Sequence, residues 1–501
     1  MDVSKDPSFK CFAFADRTSY NPDVYEKSDW EGKDIRPERH ALAWFRELEG
    51  SKCRVFYCGI GHLAETFALE PIRLIVTTAV NWAGFKKENN IRDKLHMSVN
   101  AAAAISPLSQ RAVEFTCELA IVKTQVDHFD VLIGYNCIRD MQVMSRCVPA
   151  SNRSSVHFVI SDSNVDPLYG DSVEAALRSA CKLDQLVRLV VPAGEENKSV
   201  EQFLSLVERV LSGGVDKHST IITLGGGMIN NLGGMVAATV YRGLRLVHFG
   251  TSLLSQVDAS VGIKQAVNYK LGKNLLGALY APSFVVIDTK TLSTLSMREK
   301  INGMGEALKH ALAQDVEFLQ YCLSHTVDDL NDLTFLHKVV KVSASLKTQC
   351  LNATKKTDKA EMTMQYGHAF GHAIEHISNY ALGHGEAIAI GMTLSAEVGL
   401  LLGHGDPLKL KALVSLHQRV FSLFSLPWQV PDYIRAKDIC DTLKFDKHFV
   451  ESGPTMMTLK DAGVPFTGQN GKCGFHVSYE VIQAAIARNK ASTLSSDSQK
   501  A

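Results

Sequence analysis

The chain has 501 residues, enough for two or three domains at roughly 150 residues each. Hydrophobic residues make up 46% of it, which excludes a mostly disordered chain. Its 53 basic residues balance 53 acidic ones, so no global positive field exists to hold nucleic acid or an anionic membrane, and neither is expected as a partner.

Eleven cysteines, an odd number at irregular spacing and without a CxxC pair, predict a reducing compartment rather than a disulfide framework. The first ten residues, MDVSKDPSFK, are polar and lack an apolar h-region, so no signal peptide is expected. The longest apolar stretches, at 101–105 and 387–402, are too short or contain Gly, Ser, Thr or Glu, and no membrane span is predicted. The expectation is a soluble cytoplasmic enzyme.

Residues 1–125 form an N-terminal extension to which no chemistry is assigned. Its first 40 residues are charged and contain proline, and read as irregular. Residues 53–60 (CRVFYCGI) and 72–80 (IRLIVTTAV) read as strands, and 101–104 before Pro107 as a helix end or a loop. From about residue 129 the pattern sharpens. Apolar runs at 156–160, 186–191, 219–224, 244–249 and 284–287 predict strands. Helices are predicted at 172–182, where Val173, Ala176, Leu177 and Ala180 recur at helical spacing, and at 200–212. The alternation implies an α/β domain over 126–290, a mostly parallel sheet with helices on both faces. Beyond about residue 290 helices dominate, at 301–325, 332–353, 364–380, 386–403, 408–424 and 477–491, with a loop-rich stretch at 427–454. A largely α-helical domain over 291–491 and a polar tail over 492–501 complete the plan.

Four segments carry chemistry. Gly225-Gly226-Gly227-Met228-Ile229-Asn230-Asn231 follows a strand and opens a helix. It fits either a tight structural turn or a pyrophosphate loop, since glycines let the backbone approach a ligand and a helix start offers free N–H groups. The G-x-G-x-x-G template is met only in part, because position 230 is Asn. Pro192–Lys198 (PAGEENK) and Asp162 lie just past strand ends, where Asp162 and Glu195 suit ribose hydroxyls or simply solvent. Arg242, Asp258, Lys264, Asn268, Lys273 and Asn274 are interleaved with small residues and suit a phosphate or sugar as well as they suit a charged surface. The fourth segment is the densest. His368, His372 and His376 sit four apart on one helix face, Gly383-His384-Gly385-Glu386 follows, and Glu306 on an earlier helix has Lys309 one turn away. Two imidazoles and one carboxylate make a catalytic-type metal set with an open position, although spacing leaves the choice among His310, His368, His372, His376 and His384 open.

The run from Gly225 to Asp288, then INGMGEALKHAL, YGHAFGHAIE and GHGEAIAIGM, resembles the sugar phosphate cyclase superfamily over about 129–488. That superfamily includes dehydroquinate synthase, 2-deoxy-scyllo-inosose synthase and the valiolone-type synthases. The resemblance implies an NAD-binding α/β domain, a helical metal-binding domain, a homodimer, and a small sugar phosphate as substrate. It implies Zn2+ or Co2+ on Glu306, His368 and His384. It implies NAD contacts at Asp162, Glu195, Lys198, Gly226, Gly227, Thr251 and Ser252. Substrate and catalytic groups would be Arg242, Asp258, Lys264, Lys273, Asn274, Lys309, Lys347 and His372, with Lys447 as a weaker carry-over. The implied reaction is a transient NAD-dependent oxidation, phosphate elimination, reduction and an intramolecular aldol closure.

Departures from the superfamily's patterns bear on substrate. Dehydroquinate synthases carry an Arg seven residues before the first His of this motif to grip a carboxylate, and here that residue is Glu361. Asn231, the KQAVN string at 264–268 and the stretch from Lys355 to His368 look more like 2-deoxy-scyllo-inosose synthase, which takes a substrate without a carboxylate. In the cofactor pocket Asn230 replaces a Gly and Gly250-Thr251-Ser252 replaces Pro-Thr-Thr, changes expected to loosen NAD. The alternatives are 3-dehydroquinate synthase and a metal-dependent alcohol dehydrogenase with net hydride transfer.

Overall fold

Strands covered on both faces must be apolar throughout, and Val156–Asp162 and Thr220–Gly225 are buried along their whole length. The computed structural model describes residues 129–270, 272–354, 358–444, 453–468 and 471–492, with the backbone of strands at 9–16, 39–47, 54–58, 120–123 and 449–450. The chain divides into two compact units, Met1–Val113 and Glu114–Ala501.

In the first unit β1 (Phe9–Asp16), β2 (Arg39–Glu47) and β3 (Arg54–Cys58) pair antiparallel in the order β1-β2-β3. The start of the chain, expected to be irregular, therefore contributes two strands. Apolar alternation in FKCFAFAD was hidden among charged neighbours. The expected strand at 72–80 and the helix end at 101–104 lie outside the described residues, as do Lys447 and residues 493–501.

The second unit is built on a seven-stranded sheet in the order β4-β5-β12-β9-β8-β6-β7. Its members are β4 (Ala120–Lys123), β5 (Asp130–Gly134), β6 (Val156–Asp162), β7 (Gln185–Val191), β8 (Thr220–Gly225), β9 (Arg245–Gly250) and β12 (Phe284–Asp288). All neighbours run parallel except the β4–β5 pair at the edge. The sheet takes in β4, upstream of the boundary at residue 126 read from the sequence. Helices α1 (Met141–Ser145) and α2 (Asp171–Cys181) cover one face through Val143, Met144, Val173 and Leu177. Helices α3 (Val200–Ser212) and α4 (Gly227–Thr239) cover the other through Leu206, Val210, Ile229 and Val236. Strand order reverses between β6 and β8, which opens a crevice beyond their carboxyl ends. A hairpin of β10 (Lys264–Tyr269) and β11 (Gly272–Leu279), not anticipated, stands apart from the sheet.

The helical part begins after α5 (Leu253–Val257) and β12. It comprises α6 (Met297–Gln314), α7 (Val316–Leu323), α8 (Leu333–Thr354), α9 (Asp358–Met364), α10 (His368–Ile377), α11 (His384–Leu402), α12 (Pro407–Leu423), α13 (Ala436–Leu443) and α14 (Tyr479–Ala491). Two predicted helices are split. One breaks at Asp315, whose carboxylate caps α7 by accepting from the Phe318 N–H. The other breaks at Gly367, which takes φ 75° just before α10. The loop-rich stretch at 427–454 contains α13. By length and apolar character α11 is long enough to cross a membrane, yet 78% of its apolar window is buried inside the protein as a core helix.

Helices α6, α10 and α11 approach unusually closely. A methyl group at Gly385 would overlap the Asn302 carbonyl oxygen, and one at Gly305 would overlap the Gly385 backbone. Asn302 Oδ1 accepts the Gly385 N–H at 2.7 Å, so this contact is also hydrogen-bonded. Gly385→Ala is expected to destabilise the protein by about 1–3 kcal/mol through overpacking, read as a lower denaturation midpoint at unchanged slope.

Candidate active site

The close approach of the three helices brings Glu306 of α6 against the first residues of α10 and α11. Glu306 Oε1 lies 3.0 Å from His368 Nε2 and 3.1 Å from His384 Nε2, and Lys309 Nζ lies 2.5 Å from Oε2. Glu306 is fully buried. The donor atoms of Glu306, His368 and His384 all fall within 4.8 Å of one another. Tetrahedral donors at the usual bond length of roughly 2.0–2.1 Å stand about 3.3 Å apart, so the spacing fits one small divalent cation. The other ring nitrogens are already engaged. His368 Nδ1 meets the Tyr366 carbonyl at 3.2 Å, and His384 Nδ1 meets Glu375 Oε2 at 3.1 Å, which leaves each Nε2 for a metal. His310, another candidate, sits in a neighbouring buried group with Asp258 and Glu306 and bonds Gln314 through Nδ1 at 2.6 Å. His376 lies at the cavity edge, outside both groups.

Burial sets most of the local titration. It pushes His368 down to about 4 and His372 well below the ordinary imidazole range. Burial also opposes charge on His384, but Glu375 and Glu306 outweigh it and push this imidazole up to about 9. His372 packs edge-on to His368 at 5.3 Å and stacks on His384 at 5.8 Å.

Above this group opens a cavity of about 1220 Å³. Its far wall is the crevice at the sheet's reversal point, with Asp162 at the end of β6, Gly226 and Gly227 at the start of α4, and Thr251 and Ser252 after β9. The first turn of α4 has no side-chain cap, so its N–H groups face the cavity unspent. A Cβ at Gly226 would stand 3.2 Å from Ser252 Oγ, narrowing the crevice. These features fit a dinucleotide. Asn230 points the other way. Its amide donates to Thr223 Oγ1 at 2.9 Å and accepts from Ser255 Oγ at 2.5 Å, and Thr223 Oγ1 bonds His248 Nδ1 at 2.7 Å. The Asn230 side chain is thus spent inside the core and does not line the cavity.

Of the residues implied for substrate and chemistry, Asp258, Lys264, Lys273, Asn274, Lys309, Lys347 and His372 line the cavity, as do Glu195 and Lys198. Asp258 holds Lys347 Nζ at 2.5 Å and lies 4.0 Å from Lys309 Nζ. Lys198 Nζ donates to Asn231 Oδ1 at 3.0 Å and Asn274 Oδ1 at 2.5 Å. Lys273 Nζ pairs with Glu375 Oε1 and lies 3.4 Å from Glu195 Oε1. Arg242 is exposed after α4 and does not line the cavity. Glu361 is exposed on α9 and is likewise absent from the wall, where Met364 and Gln365 stand instead. Glu361, at the position where dehydroquinate synthases carry a carboxylate-gripping Arg, therefore does not face the cavity. Among the described lining residues Arg298 is the only arginine, and its guanidinium already donates to the Ala381 carbonyl at 2.6 Å. Sequence reasoning missed Glu375, although it continues the His368 and His372 stripe at i+7 on α10.

Models of the 3-dehydroquinate synthase family match the chain, the N-terminal one over 188–302 and the C-terminal one over 303–449. A 3-dehydroquinate synthase from Caldanaerobacter subterraneus subsp. tengcongensis is 39% identical over 306 residues, 60% of this chain and 83% of the relative. A 2-deoxy-scyllo-inosose synthase from Streptomyces fradiae is 33% identical over 339 residues, 67% of this chain and 76% of the relative. A crystal structure of a 2-deoxy-scyllo-inosose synthase complexed with carbaglucose-6-phosphate, NAD+ and Co2+ superposes with a TM-score of 0.64 at 26% identity, covering 74% of this chain and all of that one.

Lys198 gives the cavity a pH signature. Burial pushes its ammonium down to about 8 against the pull of Glu195. An unfolded lysine keeps its proton to about 10.4, so between roughly pH 8 and pH 10.4 the unfolded chain binds more protons than the folded one. The penalty of burying this ammonium is therefore full below about 8 and is relieved as pH rises through that window. The pH dependence of the melting temperature is expected to lose this upward component in Lys198→Met.

Proposed function

The chain belongs to the 3-dehydroquinate synthase family of sugar phosphate cyclases, and from that premise we propose that it turns a carboxylate-free sugar phosphate into a carbocycle with loss of phosphate, as a 2-deoxy-scyllo-inosose synthase does. The observation that carries the reading is one cavity that joins an unspent helix start, a buried carboxylate–imidazole pair of ligand sites and a row of lysines. The shortage of arginine on its wall favours a substrate without a carboxylate over the seven-carbon keto acid phosphate of a 3-dehydroquinate synthase.

Glu306, His368 and His384 would hold Zn2+ or Co2+, and Asp162, Glu195, Gly226, Gly227, Thr251 and Ser252 would hold NAD. When bound, these groups supply Lewis acidity at a ring carbinol and a hydride acceptor that is later restored. The chain's own side chains do the rest. Lys264, Lys273 and Asn274 face the space where a phosphate would be gripped. Asp258 fixes the ammonium of Lys347 and stands near that of Lys309, which keeps two cations aimed at the substrate while the carboxylate stays ionised. His372 lines the cavity beside the ligand set, within ring contact of His368 and His384, and would relay a proton at the substrate oxygen.

We place the enzyme in the cytoplasm, since the seven described cysteines are buried thiols outside any disulfide. We read it as a homodimer, since Tyr269, Leu275, Leu276 and Leu279 leave an apolar, exposed hairpin suited to a second copy. Light scattering on purified protein is expected to give twice the chain mass, and one chain mass would reject the dimer.

The substrate test uses metal-loaded protein and NAD with glucose 6-phosphate, sedoheptulose 7-phosphate or the seven-carbon keto acid phosphate, following phosphate and NADH together. Phosphate release from a neutral sugar without NADH build-up is expected. Turnover of the keto acid alone would reject the neutral-substrate reading, and steady NADH accumulation would point to a dehydrogenase.

A further inference from the structure

Glu375 is buried on α10, the helix that also carries His368 and His372, and its two oxygens face opposite ways. Oε2 lies 3.1 Å from His384 Nδ1, and Oε1 pairs with the ammonium of Lys273 on β11. Lys273 in turn lies 3.4 Å from Glu195 at the cofactor side of the cavity. One carboxylate therefore touches a ring nitrogen of a ligand residue and a cation of the opposite wall.

We infer that Glu375 is a positioning residue that sets the tautomer of His384 and ties it to Lys273, so that metal affinity depends on the hairpin across the cavity. The inference rests on the metal-site reading above. The physical argument is one of donors and acceptors. A carboxylate only accepts, so it holds the proton on Nδ1 and makes Nε2, which meets Glu306 Oε1, the nitrogen that gives up its proton to a cation. An ammonium only donates, so whatever replaces Oε1 must also accept. In Glu375→Gln the amide oxygen is claimed by Lys273, and the amide N–H2 is turned to His384. Nδ1 must then accept, the proton moves to Nε2, and the ligand position is blocked.

That logic predicts a rescue. Removing Lys273 frees the amide to rotate and present its oxygen to Nδ1–H. Co2+ binding to the full-length protein, followed by its visible absorption and by competition with a chromophoric chelator, reads the effect without turnover. Glu375→Gln is expected to raise the Co2+ dissociation constant about 10- to 100-fold. The double variant Lys273→Met with Glu375→Gln is expected to return to within about threefold of Lys273→Met alone, by the same rotation. A Glu375→Gln affinity equal to wild type, or a double variant weaker than either single one, would overturn the inference, since accumulated damage is what a purely structural carboxylate gives. If Glu375→Gln does not fold, 15N chemical shifts of His384 in the Zn2+-loaded wild type decide the matter. A proton on Nδ1 supports the inference and metal on Nδ1 overturns it. Wild type that takes up no Co2+ would instead overturn the metal site, and this inference with it.

Discussion

A fully buried carboxylate cannot stand alone in a protein interior, and Glu306 is the point at which this constraint is met. One ammonium and two imidazoles converge on it, each from a different place in the sequence: Lys309 one turn along α6, His368 at the start of α10 and His384 at the start of α11. Removing one partner of such a buried group costs roughly 3–5 kcal/mol, because the remaining charge is left uncompensated. The three helices have to lie close enough for these short side chains to meet, and that need explains the side-chain-free contacts at Gly305 and Gly385. The ligand set and the packing of the helical domain are thus one requirement expressed twice.

A second chain of charges crosses the cavity. Glu195 belongs to the loop after β7, Lys273 to the hairpin, Glu375 to α10 and His384 to α11, and each touches the next. Lys198 extends the same fabric by holding Asn231 from α4 and Asn274 from the hairpin. The loop after β7 and the Glu306 group are therefore joined across the cavity by ionic contacts. Lys198, Lys273, Lys309 and Lys347 thus each meet a named carboxylate or amide partner in the cavity.

Much of this was legible in the residues. Continuous apolar runs marked the parallel strands because such strands are covered on both faces, and the Gly-flanked histidines pointed to the region where His368 meets Glu306 and His384, although the spacing of four singled out His372 and His376, which lie outside that group. The hairpin was not legible. Its second strand leaves Leu275, Leu276 and Leu279 exposed, so hydrophobicity there does not report burial. Glu375 was missed because a glutamate on an amphipathic helix reads as a solvent-facing residue, and only its place on the histidine stripe distinguishes it. Position alone did not place Glu361. It lies seven residues before His368, yet it is exposed on α9, while Met364 and Gln365, later on the same segment, line the cavity. Arg242 likewise stands in a rich motif yet faces away from this chain's cavity.

The polar thread through Asn230 has a consequence for how such a protein can change over generations. Asn230, Thr223, Ser255 and His248 satisfy one another in a region closed to water. Replacing Asn230 with glycine would take from Ser255 its acceptor and from Thr223 one of its two partners, and altering Ser255 first would leave the amide oxygen unpaired. Neither single step is expected to be neutral, so the two positions are coupled and the effects of changing them should not add.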